Sequence, residues 1–311
     1  MNLVAIDKST AEHKPGAERK SAAKKTQNKK NETSLVPKNR VDFAFLDSGT
    51  GGLPYLLHLK EKSPHSNCVY VADTKNFPYG EKDTPRIIEA ACSAAESIIK
   101  RFKPAAFVIG CNTISVTALE ELRRRFFPVP FVGTVPAIKR AASLTKNGRI
   151  GLLATRRTIE EPYTAELAER YAANCTLISR ADPDLVDFVE HGFFTASDAE
   201  KEEAVRPALD FFLKHDADTV VLGCTHFLHI APVLEKLAGA RIRFVDSKEG
   251  VVNQALRIVR PAAPSASFES AASEPAPSPS VFFITGPAGI DEAPYKTLCE
   301  RSGLVYGGIL I

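Results

Sequence analysis

Two stretches of the chain place the same reactive residue in the same setting. One is "FVIGCNTISV", residues 107–116, and the other is "VVLGCTHFLH", residues 220–229. Each is an apolar β-branched run, then Gly-Cys, then polar residues that include a Thr. Both Cys111 and Cys224 therefore fall at the end of a predicted strand and just before a predicted helix. A helix N-terminus offers free N–H donors and a partial positive charge, a setting that predicts a thiol pKa lowered toward neutrality. Such a group takes a proton as thiolate and returns one as thiol. Two of them on opposite faces of one carbon could invert its configuration, one removing the α-proton and the other delivering a proton from the far side. A single cysteine is as readily a buried core residue; two in matched contexts, one beside His226, favour chemistry. Cys224 and His226 could also ligate zinc, but no further Cys/His cluster supplies the remaining ligands locally, so no metal site is expected. No pyridoxal lysine motif is apparent, and no cofactor is expected.

The elements that must hold these cysteines alternate along the chain. "VDFAFLDSG" reads as a strand running into the Gly-rich loop "SGTGGL", and "CVYVADT" as a second strand. "TPRIIEAACSAAESIIKRF" has apolar residues at helical spacing, followed by strand "AAFVIG", helix "VTALEELRRRF", strand "FVGTV" and helix "PAIKRAASLT". The order then restarts at "RIGLLAT" and runs through "CTLISR", "TVVLG" and "RIRFVDS" with helices between them. Strands alternating with helices imply a mainly parallel α/β sheet. Residues 44–134 and 150–247 match in element order, and Cys111 and Cys224 fall at matching points. The expected fold is two similar α/β domains with mainly parallel sheets flanked by helices, related by a pseudo-two-fold. Ligands of open α/β sheets bind at the carboxyl ends of strands, which puts the expected active site in the cleft between the domains. The expected boundaries are 41–136 with 246–311 for the first domain and 137–245 for the second.

Composition narrows the function classes. The 311 residues are 44% hydrophobic and 25% charged, ordinary for a soluble globular protein. No apolar run approaches the roughly 20 residues of a membrane span, and the N-terminus has no signal-like apolar region. Six scattered cysteines with no CxxC pair argue for reduced thiols and a cytoplasmic protein. The net charge of +3 is uneven: residues 1–40 hold ten Lys/Arg and four Asp/Glu, leaving a mildly acidic body. That tail reads as disordered, and its deletion is expected to leave the fold intact. An acidic body argues against a nucleic-acid protein. "PAAPSASFESAASEPAPSPS", residues 261–280, reads as a flexible insertion, with a strand and a short helix after it.

Seven motifs in order then identify a resemblance: "FLDSGTGGL", "VADTKNFPYGEK", "VIGCNTISVTAL", "FVGTVPAIKRA", "IGLLATRRTIEEPY", "DPDLVDFVEHG" and "LGCTHFLHIAPVLEKL". The chain resembles the glutamate racemases, a cofactor-independent family that supplies D-glutamate for bacterial peptidoglycan. The resemblance implies that Cys111 acts on the proton of the D-enantiomer and Cys224 on that of L-glutamate. It implies that Asp47 stands near the first thiol and that His226 and Glu190 assist the second. It further implies that Ser48, Pro78, Tyr79, Gly80, Asn112, Thr113, Thr155 and Thr225 hold the substrate. The bland alternatives are turns at "SGTGGL" and "FPYG" and an N-cap at Asp47. Glu190 competes with Asp182, Asp184 and Asp187 nearby. The chain departs from the family's pattern at Gly110, at Phe227 and Leu228, and at Arg156 and Arg157. The resemblance also implies a homodimer; racemisation of aspartate or another amino acid, or a role in binding gyrase, are the alternatives.

Overall fold

In the computed structural model, residues 41–259, 278–286 and 289–310 are described. The basic tail and most of the 261–280 insertion lie outside these residues. The described residues fall within one compact unit, Pro37–Ile311.

Among the described residues ten strands form two sheets, and every strand pair in both is parallel. The first sheet contains β1 (Phe43–Asp47), β2 (Cys68–Ala72), β3 (Ala106–Ile109), β4 (Phe131–Gly133), β9 (Val281–Ile284) and β10 (Val305–Ile309). Its order is β10-β9-β2-β1-β3-β4. The second contains β5 (Arg149–Ala154), β6 (Thr176–Ala181), β7 (Thr219–Leu222) and β8 (Arg243–Val245), in the order β6-β5-β7-β8. The restart seen in the sequence is therefore a repeat of topology: β2-β1-β3-β4 in one sheet matches β6-β5-β7-β8 in the other. Central strands β1, β2, β3 and β7 are buried at every position. That is why they read as continuous apolar runs rather than as alternation, as expected of parallel strands covered on both faces. Edge strand β6 is half exposed.

Helices cover both sheets. Helix α1 (Leu53–Lys62) and helix α2 (Thr84–Phe102) follow β1 and β2. On α2 the buried residues Ile87, Ala91, Cys92, Ala95, Ile98 and Phe102 recur at a helical period, and Asp83 caps it by accepting from Arg86 N–H. Helix α3 (Asn112–Arg125) follows β3, and α4 (Ile138–Leu144) follows β4. Helices α5 (Arg156–Glu160), α6 (Pro162–Ala172), α7 (Pro183–His191), α8 (Asp198–Lys214) and α9 (Phe227–Ala238) belong to the second repeat. Ser197 and Glu200 form a reciprocal capping box at the start of α8. Helix α10 (Lys248–Ile258) packs on α1, and α11 (Ala293–Ser302) joins β9 to β10. On α1 the buried Leu53, Tyr55, Leu56 and Leu59 join Phe45, Tyr70 and Phe282 in the first core. Each such side chain contributes about 1.5–3 kcal/mol by leaving water.

The sequence pattern missed α1, α5, α7 and β10. Helix α5 has five residues, too few to show a period. Strand β10 reads "VYGGI", whose paired glycines hide a half-buried edge strand. All six cysteines are free thiols, and among the described residues no group of three or more His, Cys, Asp and Glu side chains could hold a metal. Among the described residues no helix is long and apolar enough to cross a membrane.

Candidate active site

Cys111 stands two residues beyond the end of β3, and Cys224 two residues beyond the end of β7. These strands occupy equivalent places in the two sheets, so the repeat itself delivers one thiol from each sheet. Both line a single cavity. Ser48, Pro78, Tyr79, Gly80, Asn112, Thr113, Thr155, Thr225 and His226 line it as well. Asp47 and Glu190 do not; they lie behind the wall, fully or almost fully buried.

The Cys111 side is built on β1 and α3. Cys111 is the N-cap of α3, with extended backbone, so the first turn's N–H groups point toward its sulfur. Its thiol is 4.0 Å from Ser48 Oγ. Ser48 in turn donates through its backbone N–H (2.5 Å) and hydroxyl (3.2 Å) to Asp47 Oδ1. Thr225 Oγ1 donates to Asp47 Oδ2 at 2.9 Å, so a carboxylate from the first sheet is held by a residue beside Cys224. Burial pushes the Asp47 carboxyl up from 3.8 to about 6, opposed by the His226 charge and by the hydrogen bonds from Thr225 and Ser48. The expected lowering of the thiol pKa is not what Cys111 shows. Burial raises it well above the usual value and the Asp47 charge adds to this, outweighing the Ile114 N–H and Ser48. The helix N-terminus is present, but the low dielectric around a buried thiolate dominates it.

The Cys224 side is a relay. Cys224 Sγ lies 3.7 Å from His226 Nδ1, and His226 Nε2 lies 3.0 Å from Glu190 Oε2. The carboxylate fixes the ring by accepting from Nε2–H, which leaves Nδ1 to exchange a proton with the sulfur. Burial opposes a charge on His226, but the hydrogen bonds to Cys224 and Glu190 and their charges hold its pKa well above the ordinary histidine value. Burial likewise opposes a charge on Glu190, yet bonds from His226 and Thr50 bring it below the usual range. Helix α7 brings one of the four nearby acids, Glu190, to His226. Its inner face carries Leu185, Val186, Val189 and Glu190. Asp182 instead caps the helix and pairs with Arg180, Asp184 is exposed in the first turn, and Asp187 pairs with His191 at the cavity rim.

The loop "SGTGGL" explains its composition here. A Cβ at Gly49 would stand 2.5 Å from Glu190 Oε2, one at Gly51 2.5 Å from His226 Nδ1, and one at Gly52 2.7 Å from Asp47 Oδ2. These glycines are required by close approach to the three ionisable partners of the cysteines, not by a phosphate. Between Gly49 and Gly51, Thr50 donates to Glu190 Oε2 through its N–H (2.8 Å) and hydroxyl (2.6 Å).

The remaining wall is made of hydroxyls and amides. Thr113 and Thr155 hydroxyls are 3.0 Å apart and both reach Thr158, joining α3 to α5. Gly80 backs directly onto Thr155, where a Cβ would meet the threonine side chain at 2.8 Å. Asn112 is 2% exposed, and neither its amide nitrogen nor its oxygen has a protein partner. Buried polar groups are nearly always paired, so this amide is free for a ligand. Among the described residues lining the cavity there is no Lys or Arg. Phe77, Glu81, Pro183, Val186 and Asp187 also line it and were not anticipated; nothing in their spacing distinguishes them. Thr50 was not anticipated either, although it sits within a quoted motif.

The family model for Asp/Glu/hydantoin racemases matches residues 58–255. The chain belongs to this family. Glutamate racemase of Treponema pallidum is 41% identical over 225 residues, covering 72% of this chain and 83% of that relative. Glutamate racemase of Proteus mirabilis is 41% identical over 216 residues, covering 68% and 74%. Among solved structures, Escherichia coli glutamate racemase in complex with L-glutamate and the activator UDP-MurNAc-Ala superposes with a TM-score of 0.73. It is 33% identical and covers 88% of this chain and 98% of that one. Both family-model limits fall inside the described residues, from α1 to α10, and take in both cysteines.

Proposed function

We propose that the chain is a glutamate racemase that interconverts L- and D-glutamate with two thiols and no cofactor. The observation that carries this is the pair of cysteines at equivalent strand ends of two repeats, lining one cavity, each with its own proton partner. Cys224, assisted by His226 and Glu190, removes the α-proton of L-glutamate, and Cys111, beside Asp47, supplies a proton to the other face. The return reaction exchanges the roles. Ser48, Pro78, Tyr79, Gly80, Asn112, Thr113, Thr155 and Thr225 hold the substrate through hydroxyls, backbone N–H groups and the free amide of Asn112. Donors of this kind suit an amino acid with two carboxylates, because helix N-termini and hydroxyls bind anions without a cation. The L-glutamate bound in the Escherichia coli relative supports the substrate.

The physiological reading is supply of D-glutamate for peptidoglycan in the cytoplasm, by a homodimer. The domain reading assigns 41–136 with 246–311 to one domain and 137–245 to the other. It is supported by β9 pairing onto β2, and β10 onto β9, in the first sheet.

The test is a circular dichroism assay of the purified protein on L-glutamate, D-glutamate and aspartate, with no pyridoxal phosphate added. Racemisation of both glutamate enantiomers is expected; activity on aspartate alone refutes the substrate. Cys111→Ser and Cys224→Ser should each abolish racemisation, since an alcohol is too weak an acid–base group near neutral pH. With 3-chloro derivatives of glutamate, one thiolate suffices: it takes the α-proton, the electron pair forms the Cα–Cβ double bond and chloride leaves. Cys111→Ser should still eliminate from the L-derivative and Cys224→Ser from the D-derivative. A single mutant that racemises at near the native rate disproves the two-thiol mechanism.

A further inference from the structure

Helix α9 carries a second histidine one turn after His226. His229 stands at the i+3 position, on the same side of the helix, and its Nε2 lies 3.1 Å from the carbonyl oxygen of Thr50. A carbonyl can only accept, so Nε2 carries the proton and His229 donates. The same carbonyl also accepts from Leu53 N–H at 3.1 Å, at the start of α1. Phe194 stacks edge-on against the His229 ring at 5.1 Å, and Phe193 lies against it at 6.5 Å. Burial lowers the His229 pKa to about 4, with the His226 charge acting in the same sense. The ring is thus a neutral donor in a fixed place.

The Thr50 carbonyl belongs to the peptide that leads into Gly51. Thr50 grips Glu190 Oε2 with two donors, and Gly51 is the surface against which the His226 ring lies. We propose that His229 is a positioning residue for the Cys224 arm: by holding the Thr50–Gly51 peptide it sets Glu190 and, through it, the His226 ring against Cys224. One helix then supplies both the imidazole that touches the thiol, at its N-cap, and the clamp on the loop that orients that imidazole. The Cys111 arm depends on it less directly, because Asp47 is held by Ser48 and Thr225 and not by the Thr50–Gly51 peptide itself. This inference rests on the two-thiol reading above.

The equilibrium constant between enantiomers is unity, so kcat/KM changes equally in both directions whichever residue is altered. The arms separate only in the half-reactions. In His229→Leu, elimination from the L-3-chloro derivative, driven by Cys224, should slow roughly 10-fold, and that from the D-derivative, driven by Cys111, by less than about 2-fold. A misplacement well under 1 Å is enough for such a loss. His229→Gln, which can place an amide N–H where Nε2–H stood, should restore most of the L-rate. Equal slowing of the two eliminations, no slowing at all, or no difference between the Gln and Leu variants overturns the inference. Should the Leu variant not fold, ¹⁵N-edited imidazole spectra of the native protein decide: a proton on Nε2 of His229 agrees, and a proton on Nδ1 alone refutes it. Native protein that fails to racemise glutamate defeats the function itself; native activity with symmetric variants defeats only the role of His229.

Discussion

Replacing Gly51 by Ala adds one methyl group at the point where the first sheet's loop meets the Cys224 arm. Its Cβ would lie 2.5 Å from His226 Nδ1, 2.7 Å from the His226 backbone nitrogen and 2.7 Å from Thr225 Oγ1. Real Cβ atoms essentially never approach closer than 3.0 Å, so His226, Thr225 or the loop must move by about 0.5 Å or more. The backbone nitrogen at 2.7 Å means that a side-chain rotation alone is insufficient. Overpacking of this kind costs about 1–3 kcal/mol, which for a chain of this size lowers Tm by roughly 2–5 °C. The catalytic cost is larger, because the displaced atoms serve both thiols. Nδ1 faces Cys224, and Thr225 Oγ1 donates to Asp47 on the Cys111 side. A shift of this size in each arm predicts a fall of roughly 10²-fold in kcat/KM, with both half-reactions slowed. This differs from the one-sided loss expected of His229→Leu. The assay is racemisation by circular dichroism, elimination from each 3-chloro enantiomer, and thermal unfolding. A Gly51→Ala protein with kcat/KM within about 3-fold of native and unchanged Tm would falsify the argument that the loop's glycines exist for close approach.

Gly250→Ala is the matched control: Gly250 is an exposed position of α10 with nothing within 4 Å of the added Cβ. Racemisation should be unchanged and the protein stabilised by about 0.5–1 kcal/mol, read as a small rise in Tm; a loss of stability would contradict it. Asp47→Asn should change how stability depends on pH. The buried carboxyl titrates at about 6 in the folded chain against 3.8 as its ordinary value. Between those limits the folded chain holds a proton that the unfolded chain has lost, so native stability declines as pH rises from about 4 to about 6. The full effect is about 3 kcal/mol. The Asn variant lacks this decline, so its stability relative to native should grow over that window in urea unfolding; a difference that stays flat from pH 4 to 7 refutes the shift.

The parts legible in the sequence are those written in contiguous residues. Both cysteines were visible because a buried parallel strand, a Gly-Cys and a helix start occupy about ten residues each. The two sheets followed from the same alternation. Glu190 was suggested by resemblance alone, since four acids lie within nine residues and only the burial of one face of α7 separates them. Thr50 and His229 left no signal, because their partners are 140 and 179 residues away. The acidity of Cys111 was misjudged for a related reason. A helix N-terminus can be read locally, whereas burial and the nearby Asp47 carboxylate arise only when β1 and β3 pair.

The two arms are unequal, and the inequality bears on how a near-symmetric fold handles a symmetric reaction. Each turnover needs one thiolate and one thiol, and leaves them exchanged. On the Cys111 side burial and Asp47 favour the protonated thiol. On the Cys224 side the hydrogen bonds to Cys224 and Glu190 hold the His226 pKa well above its ordinary value against the effect of burial. The titratable groups beside the two thiols are Asp47, whose carboxyl is pushed up to about 6, and His226. They lie on either side of Thr225, which follows Cys224 in the chain and donates to Asp47. Thr225 therefore links the two arms by a hydrogen bond. Packing against these groups and Glu190 leaves no room for a Cβ at Gly49, Gly51 or Gly52.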